Sequence, residues 1–135
     1  MNAADGLKDL ESATKMATAI AAFRREFPDV KSSLHPWRND PLARELADPE
    51  SLDVGFNFPT GQTLVQMRFH GDRLIGIEAV CFGLFNNQRW HFSTIADWRF
   101  VGSTVPFQNF RLKFKKVCRE LFDIFNSSAD FNKAS

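Results

Sequence analysis

Three histidines and one glutamate are the first candidates in this chain for a metal site or for proton transfer. They are His35, His70, His91 and Glu78. His70 and His91 fall at outward positions of two predicted strands, and Glu78 lies on the strand between them. Two imidazoles and a carboxylate can bind a transition metal. The predicted register nevertheless places His91 opposite Phe82 and His70 near Leu74, which staggers the side chains, so we predict no metal site and no cofactor.

Glu78 is also the best candidate for acid–base catalysis, which needs a titratable group in a partly dry pocket. Its neighbours in the predicted sheet are small or apolar, and Arg68 or Arg89 could bind an anionic ligand beside it. We favour a simpler interpretation, a cross-strand ion pair worth about 0.2–1 kcal/mol. The sequence has no glycine-rich phosphate loop and no cysteine pair at zinc spacing, so we predict no catalytic residue and do not favour an enzyme.

A basic stripe follows in the last third of the chain. Its predicted contact residues are Arg111, Lys115, Lys116 and Arg119. The phenylalanines of the same segment fall on the other side of a helix, so they are not placed to stack on bases. A solvated helix face is the simplest interpretation, and contact with an acidic partner or with nucleic acid are the alternatives. A net charge of +1 does not favour nucleic acid.

The chain that must position these residues is organised around a predicted meander of strands over residues 52–101. Strand-like segments lie at 52–58, 63–70, 74–85 and 88–101, and each is rich in Val, Ile, Phe or Trp. Turn residues separate them, namely Pro59-Thr60-Gly61, Gly71-Asp72 and Asn86-Asn87. Near Ala96-Asp97 the last segment bends, and Trp98 and Phe100 begin a short fifth strand.

The alternation of side chains predicts which face of the meander is inward. The inward set is Val54, Phe56, Phe58, Val65, Met67, Phe69, Ile75, Ile77, Ala79, Cys81, Trp90 and Phe92. Two-residue turns throughout would put Val65 and Ile77 on opposite faces, because side chains alternate with a period of two. We therefore predict a three-residue loop with a bulge around Gly71-Asp72-Arg73, a four-residue loop at 59–62, and a two-residue turn at Asn86-Asn87.

Helices are predicted on both sides of the meander, at 7–27 with Asp5 as cap, and at 106–126 with Ser103 or Thr104 as cap. The second carries Phe107, Phe110, Phe114, Val117, Cys118, Leu121 and Phe125 on one face. A short helix is predicted at 41–47, after a loop in which Trp37 covers a core edge or contacts a partner. The fold class is therefore α+β, a four- to five-stranded antiparallel meander flanked by an N-terminal and a C-terminal helix (α-β-β-β-β-α). We expect one domain over residues 1–135, frayed at 1–6 and 127–135.

The second face of the meander is mixed, and it is the predicted interaction patch. Its apolar residues are Leu64, Val80, Phe82, Leu84 and Ile95, and its rim is Arg68, Glu78, Arg89 and His91. An apolar centre with an arginine-bearing rim is typical of protein interfaces. The alternative is that the alanine-rich first helix lies on this face and buries it.

These patterns favour a small, non-enzymatic binding or adaptor protein that is homodimeric or binds a protein partner through the mixed face. One alternative is a binder of small apolar ligands, or an enzyme, with a Phe/Trp-lined cavity between sheet and C-terminal helix, because the chain has 15 Phe, 3 Trp and no Tyr. The other is nucleic-acid binding through the basic helix. No apolar run approaches the length of a membrane span, and no secretory signal is evident. We expect a cytoplasmic protein with Cys81 and Cys118 reduced.

Overall fold

A computed structural model describes residues 1–36, 50–58, 61–83 and 87–127. Its elements in chain order are α1 (Ala3–Gly6), α2 (Leu10–Glu26), β1 (Lys31–Ser33), β2 (Ser51–Phe58), β3 (Gly61–His70), β4 (Arg73–Phe82), β5 (Gln88–Ser93), β6 (Arg99–Val101) and α3 (Gln108–Asn126). The predicted helix at 41–47, the loop residue Trp37 and the patch residue Leu84 lie outside the described residues.

The strands form one antiparallel sheet in the order β1-β2-β3-β4-β5-β6. The α+β class and the meander are therefore confirmed, with six strands in place of four or five. The additional strand is β1, in a stretch predicted to be irregular, which pairs with β2 from Lys31 opposite Asn57 to Ser33 opposite Gly55. Its Lys-Ser-Ser sequence has no apolar alternation, so the strand conformation of β1 depends on its pairing with the edge of β2.

Helix α2 begins later than predicted. Asp9, rather than Asp5, is the cap, and its carboxylate accepts a hydrogen bond of 2.7 Å from the Ser12 backbone N–H. Asp5 lies in α1 instead. The helix ends at Glu26, directly before Phe27 and Pro28, as the missing amide hydrogen of proline requires.

Helix α3 buries most of the predicted apolar face, including Phe114, Val117, Cys118, Leu121 and Phe125. Its start differs from the prediction. Phe107, rather than Ser103 or Thr104, occupies the capping position with extended backbone, and no side chain caps the helix. The Phe107 ring is 86% exposed, so its predicted place on the inward face is wrong. The helical spacing simply does not extend to a residue that precedes the helix.

Both long helices pack on the same, inner face of the sheet. Phe23 of α2 contacts Phe56 with ring centroids 4.2 Å apart, and Phe114 of α3 contacts Phe92 at 5.3 Å. The helices also contact each other through an ion pair of 2.6 Å between Lys116 and Glu26. The alternative that the first helix covers the outer face is therefore wrong, because its largest apolar residues complete the inner aromatic cluster.

The predicted bulge beside the β3–β4 turn is present, but the loop has two residues rather than three. Strands β3 and β4 are joined by the two residues Gly71-Asp72, and the register shifts so that Phe69 pairs with Leu74 and Arg68 with Gly76. Ile75 is the extra residue between them. Leu74 is consequently 1% exposed and Ile75 is 51% exposed, the reverse of the predicted assignment.

The connection between β2 and β3 also differs from the prediction. Phe58 pairs with Gly61, so two residues join β2 and β3 instead of four. Strand β4 ends at Phe82 and β5 begins at Gln88, and the Gly83 N–H donates to the Asn87 carbonyl. Asn86 of the predicted two-asparagine turn lies outside the described residues.

Candidate functional site

The centre of the outer face is a row of side chains that crosses four strands. Leu64 pairs with Val80, Val80 with His91, and His91 with Val101. Leu64 and Val80 are half-buried, His91 is exposed, and Val101 is 49% exposed. Directly paired residues lie on the same side of a sheet, so the four side chains form one continuous strip, which we call the outer row.

A second bulge determines where His91 lies in this row. Cys81 pairs with Trp90 but Phe82 pairs with Gln88, which leaves Arg89 as the extra residue. The prediction that His91 lies opposite Phe82 is therefore wrong. His91 pairs with Val80, two residues earlier on the same face of β4. The Gln88 amide nitrogen lies 3.1 Å from the His91 Nδ1 atom.

The histidines do not converge. His70 pairs with Arg73 at the hairpin end of β3, whereas Glu78 pairs with Ser93 in the middle of the sheet. Within the described ranges, no group of three or more His, Cys, Asp or Glu side chains is placed to hold a metal ion.

Arg68 and Glu78 form the cross-strand ion pair that the sequence suggests. The Arg68 Nε atom donates a hydrogen bond of 2.7 Å to the Glu78 carboxylate. Each side chain is about one-third exposed (33% and 32%), so the pair lies at the surface rather than in a dry pocket. This arrangement favours a role in orienting a contact surface over a role in proton transfer.

The remaining patch residues surround the outer row. Phe82 is half-buried, and Ile95 is 65% exposed while its Cδ1 atom lies only 2.9 Å from the position that a Cβ atom on Gly76 would occupy. Arg89 is also half-buried, with its aliphatic stem against Gly83. The structure thus brings the described patch residues together on the outer face apart from Arg89, which is the extra residue of the second bulge. Sequence reasoning missed Val101 and Ile75, because the bulge and the pairing of β6 determine their exposure.

The basic stripe is divided between two sides of α3. Lys116 pairs with Glu26 of α2. Arg111 and Lys115 line a groove on the side of β6, together with Arg99. Arg119 follows Lys115 by one turn on that side, and its guanidinium lies 5.3 Å from the centre of the Trp98 ring. The spacing of four residues between Arg111 and Lys115 predicts their shared face, but the contribution of Arg99 depends on the sheet.

The space between the sheet and α3 is occupied by aromatic rings. Phe114 alone contacts five of them, Phe23, Trp90, Phe92, Phe100 and Phe110, at centroid distances of 5.3–6.2 Å. A cavity of about 480 Å³ lies elsewhere, between the start of α2 and the ends of β2 and β3, and charged residues such as Lys8, Glu11 and Asp72 contribute to its lining. No helix in the described ranges is both long and apolar enough to cross a bilayer.

Comparison with known proteins gives a family but no characterised relative. A protein-family model described as a domain of unknown function matches residues 4–127. Neither the curated proteins nor the solved structures contain a match to the chain.

Proposed function

The chain belongs to this family of domains of unknown function, and we propose from the geometry of its outer face that it is a non-enzymatic interaction protein that forms a homodimer. The single observation that carries the proposal is the outer row. Apolar side chains on adjacent strands lose contact with water together when a flat partner covers them, at about 25 cal/mol per Å² of apolar surface.

The distribution of the helices supports the proposal. Phe23, Phe27 and Phe114 direct both long helices to the inner face. The outer face nevertheless keeps Val101 and Ile95 largely exposed and Val80 partly exposed. Apolar residues on several strands of one face, here on both sides of His91, are typical of contact sites.

The charges of the face support self-association over a strongly charged partner. Arg68 and Glu78 place both signs side by side next to the outer row. A two-fold axis brings a surface against its own copy, so a patch that carries both signs can pair without net repulsion. In such a dimer, Arg68 of one copy can contact its own Glu78 and the Glu78 of the other copy.

The ring cluster does not favour the alternative of a ligand cavity between sheet and α3, because neighbouring rings fill that space at contact distance. A cytoplasmic location belongs to the proposal as well. Cys81 and Cys118 are both unpaired and buried, which fits a reducing compartment.

Sedimentation over a range of protein concentrations tests the proposal. We expect a dimer for the unmodified chain and a monomer for Val101→Glu, since a charge in the outer row would be buried without a partner. The matched control is Leu10→Glu, which places the same charge at an 83% exposed position of α2 and leaves the dimer intact. A monomer at every concentration of the unmodified chain would refute the proposal.

A further inference from the structure

The last strand of the sheet, β6, and the first half of α3 enclose a groove of about 270 Å³. It is lined by Arg99, Phe100, Gln108, Arg111, Leu112 and Lys115. No lining residue belongs to the outer row, since Phe100 pairs with the inward-facing Phe92 and Arg111 and Lys115 belong to α3. Arg99, which pairs with Ser93, is the lining residue on the same side of the sheet as that row. The groove therefore offers a second surface for a partner.

The charge of the groove has one sign. Its lining contains three cationic side chains, Arg99, Arg111 and Lys115, and no acidic one. Within the described residues, none of the three is within ion-pair distance of a carboxylate. The side of α3 that faces α2 is different, because Lys116 pairs with Glu26 and Arg25 pairs with Glu120. The fold thus neutralises one side of the helix and leaves the other side cationic.

Apolar surface accompanies these charges. Leu112 in the lining is 59% exposed, and Phe107, the residue directly before Gln108, is 86% exposed. An exposed ring of this size next to a groove can anchor a partner's side chain. The combination of apolar and cationic groups matches a segment in which apolar and acidic residues alternate.

The backbone of β6 adds a third kind of contact. β6 is the last strand of the sheet and pairs only with β5 among the described strands. An edge strand presents backbone N–H and C=O groups that an extended peptide can pair with. A peptide added there lies beside the groove.

We propose that this groove binds an extended acidic segment of a protein partner. The segment pairs with β6, its carboxylates contact Arg99, Arg111 and Lys115, and its apolar side chains cover Leu112 and Phe107. A peptide fits the groove better than nucleic acid, because a phosphate backbone cannot extend the sheet. Three cations also neutralise few phosphates in a chain of net charge +1.

Fluorescence anisotropy with a labelled peptide of alternating glutamate and valine tests the proposal. We expect saturable binding that weakens with salt. The double variant Arg111→Glu with Lys115→Glu should lose roughly tenfold or more in affinity, since it places like charges against the peptide. The matched control is Lys31→Glu with Arg73→Glu, which makes the same change in net charge at two exposed positions away from the groove and retains the affinity.

A second variant keeps the test valid if the double variant does not fold. Leu112→Glu changes an exposed side chain and should also weaken peptide binding. In the unmodified chain, the NMR signals of the Arg99–Val101 amides should shift when the peptide is added. Absence of peptide binding, equal losses in the groove and control variants, or binding of a labelled oligothymidylate without the peptide would each overturn the proposal.

Discussion

Asn126, at the end of α3, makes two hydrogen bonds to the backbone of Leu74, next to the bulge in β4. Its Oδ1 atom accepts from the Leu74 N–H at 2.8 Å, and its Nδ2 group donates to the Leu74 carbonyl at 3.0 Å. One side-chain amide thus satisfies both backbone polar groups of Leu74, which lies beyond the stretch of β4 that pairs with β5. The two hydrogen bonds connect residues that are 52 positions apart in sequence.

We expect Asn126→Ala to lower the free energy of unfolding by about 1–3 kcal/mol, because it leaves two part-buried backbone groups without partners. Chemical denaturation with circular dichroism measures the change. Asn109→Ala, at an exposed position in the first turn of the same helix, is the control and should change stability little. Equal effects of the two substitutions would show that the contact with Leu74 contributes nothing specific.

Gly102 and Gly71 provide a matched pair of glycine substitutions. Both have positive φ angles, +156° and +60°, but a Cβ atom on Gly102 would lie 2.3 Å from the Arg89 carbonyl oxygen, whereas Gly71 has open space around that position. Gly71→Ala should cost about 1–2 kcal/mol from backbone strain alone. We expect Gly102→Ala to cost clearly more, because backbone atoms of β5 cannot move aside. Thermal unfolding of both variants checks the order, and a smaller loss at Gly102 would contradict it.

Thr63 has a buried hydroxyl oxygen without a hydrogen-bond partner among the described residues. The Cys81 thiol, which pairs with it across β3 and β4, is only a weak acceptor. Thr63→Val should therefore raise stability by about 1 kcal/mol, since it removes an unsatisfied polar group at constant shape. Thr63→Ser keeps the hydroxyl and loses a methyl group, so it should lower stability by about 0.8 kcal/mol. A loss of stability in the valine variant would show that the hydroxyl is satisfied in solution.

The two cysteines give a prediction for alkaline pH. Burial raises the pKa of the Cys81 thiol above its ordinary value of 9.0, and burial raises the pKa of Cys118 as well. Above about pH 9 the unfolded chain releases these protons and the folded chain does not, so stability falls as the pH rises. The chain has no tyrosine to add to this titration.

Between a pH below 9 and a pH above 9, the denaturant midpoint should fall less for Cys118→Ala than for the unmodified chain. Both thiols should also react with iodoacetamide only after denaturant is added, because the thiolate is the reactive form. An unchanged dependence on pH in the alanine variant, or rapid alkylation of the folded chain, would contradict the assignment.

Local sequence was sufficient for the parts of the fold that depend on short-range periodicity. The three- and four-residue spacing from Phe114 to Phe125 identifies the buried face of α3, and the alternation of Val65 and Met67 identifies the inner face of β3. Pairing of β4 and β5 also keeps Val80 and His91 on one face, as the alternation requires.

Register could not be read in the same way. The parity of the apolar pattern predicts a bulge near Gly71-Asp72 but not that Ile75 is its extra residue, and nothing in the sequence predicts the bulge at Arg89. A shift of one residue exchanges the two faces of a strand. Leu74 and Ile75 are both apolar, so composition alone does not determine which of them enters the core.

Local patterns along the chain predict an antiparallel meander with an apolar inner face and an amphipathic C-terminal helix, because those patterns are set by neighbours a few residues apart. The placement of α2 beside α3 on the inner face follows only from contacts in the folded chain, as does the division of the helix charges, with Lys116 paired with Glu26 and Lys115 lining the groove beside β6. These outcomes depend on contacts between residues far apart in the chain. Packing of Phe23 against Phe56 selects the face, and no local pattern records that choice.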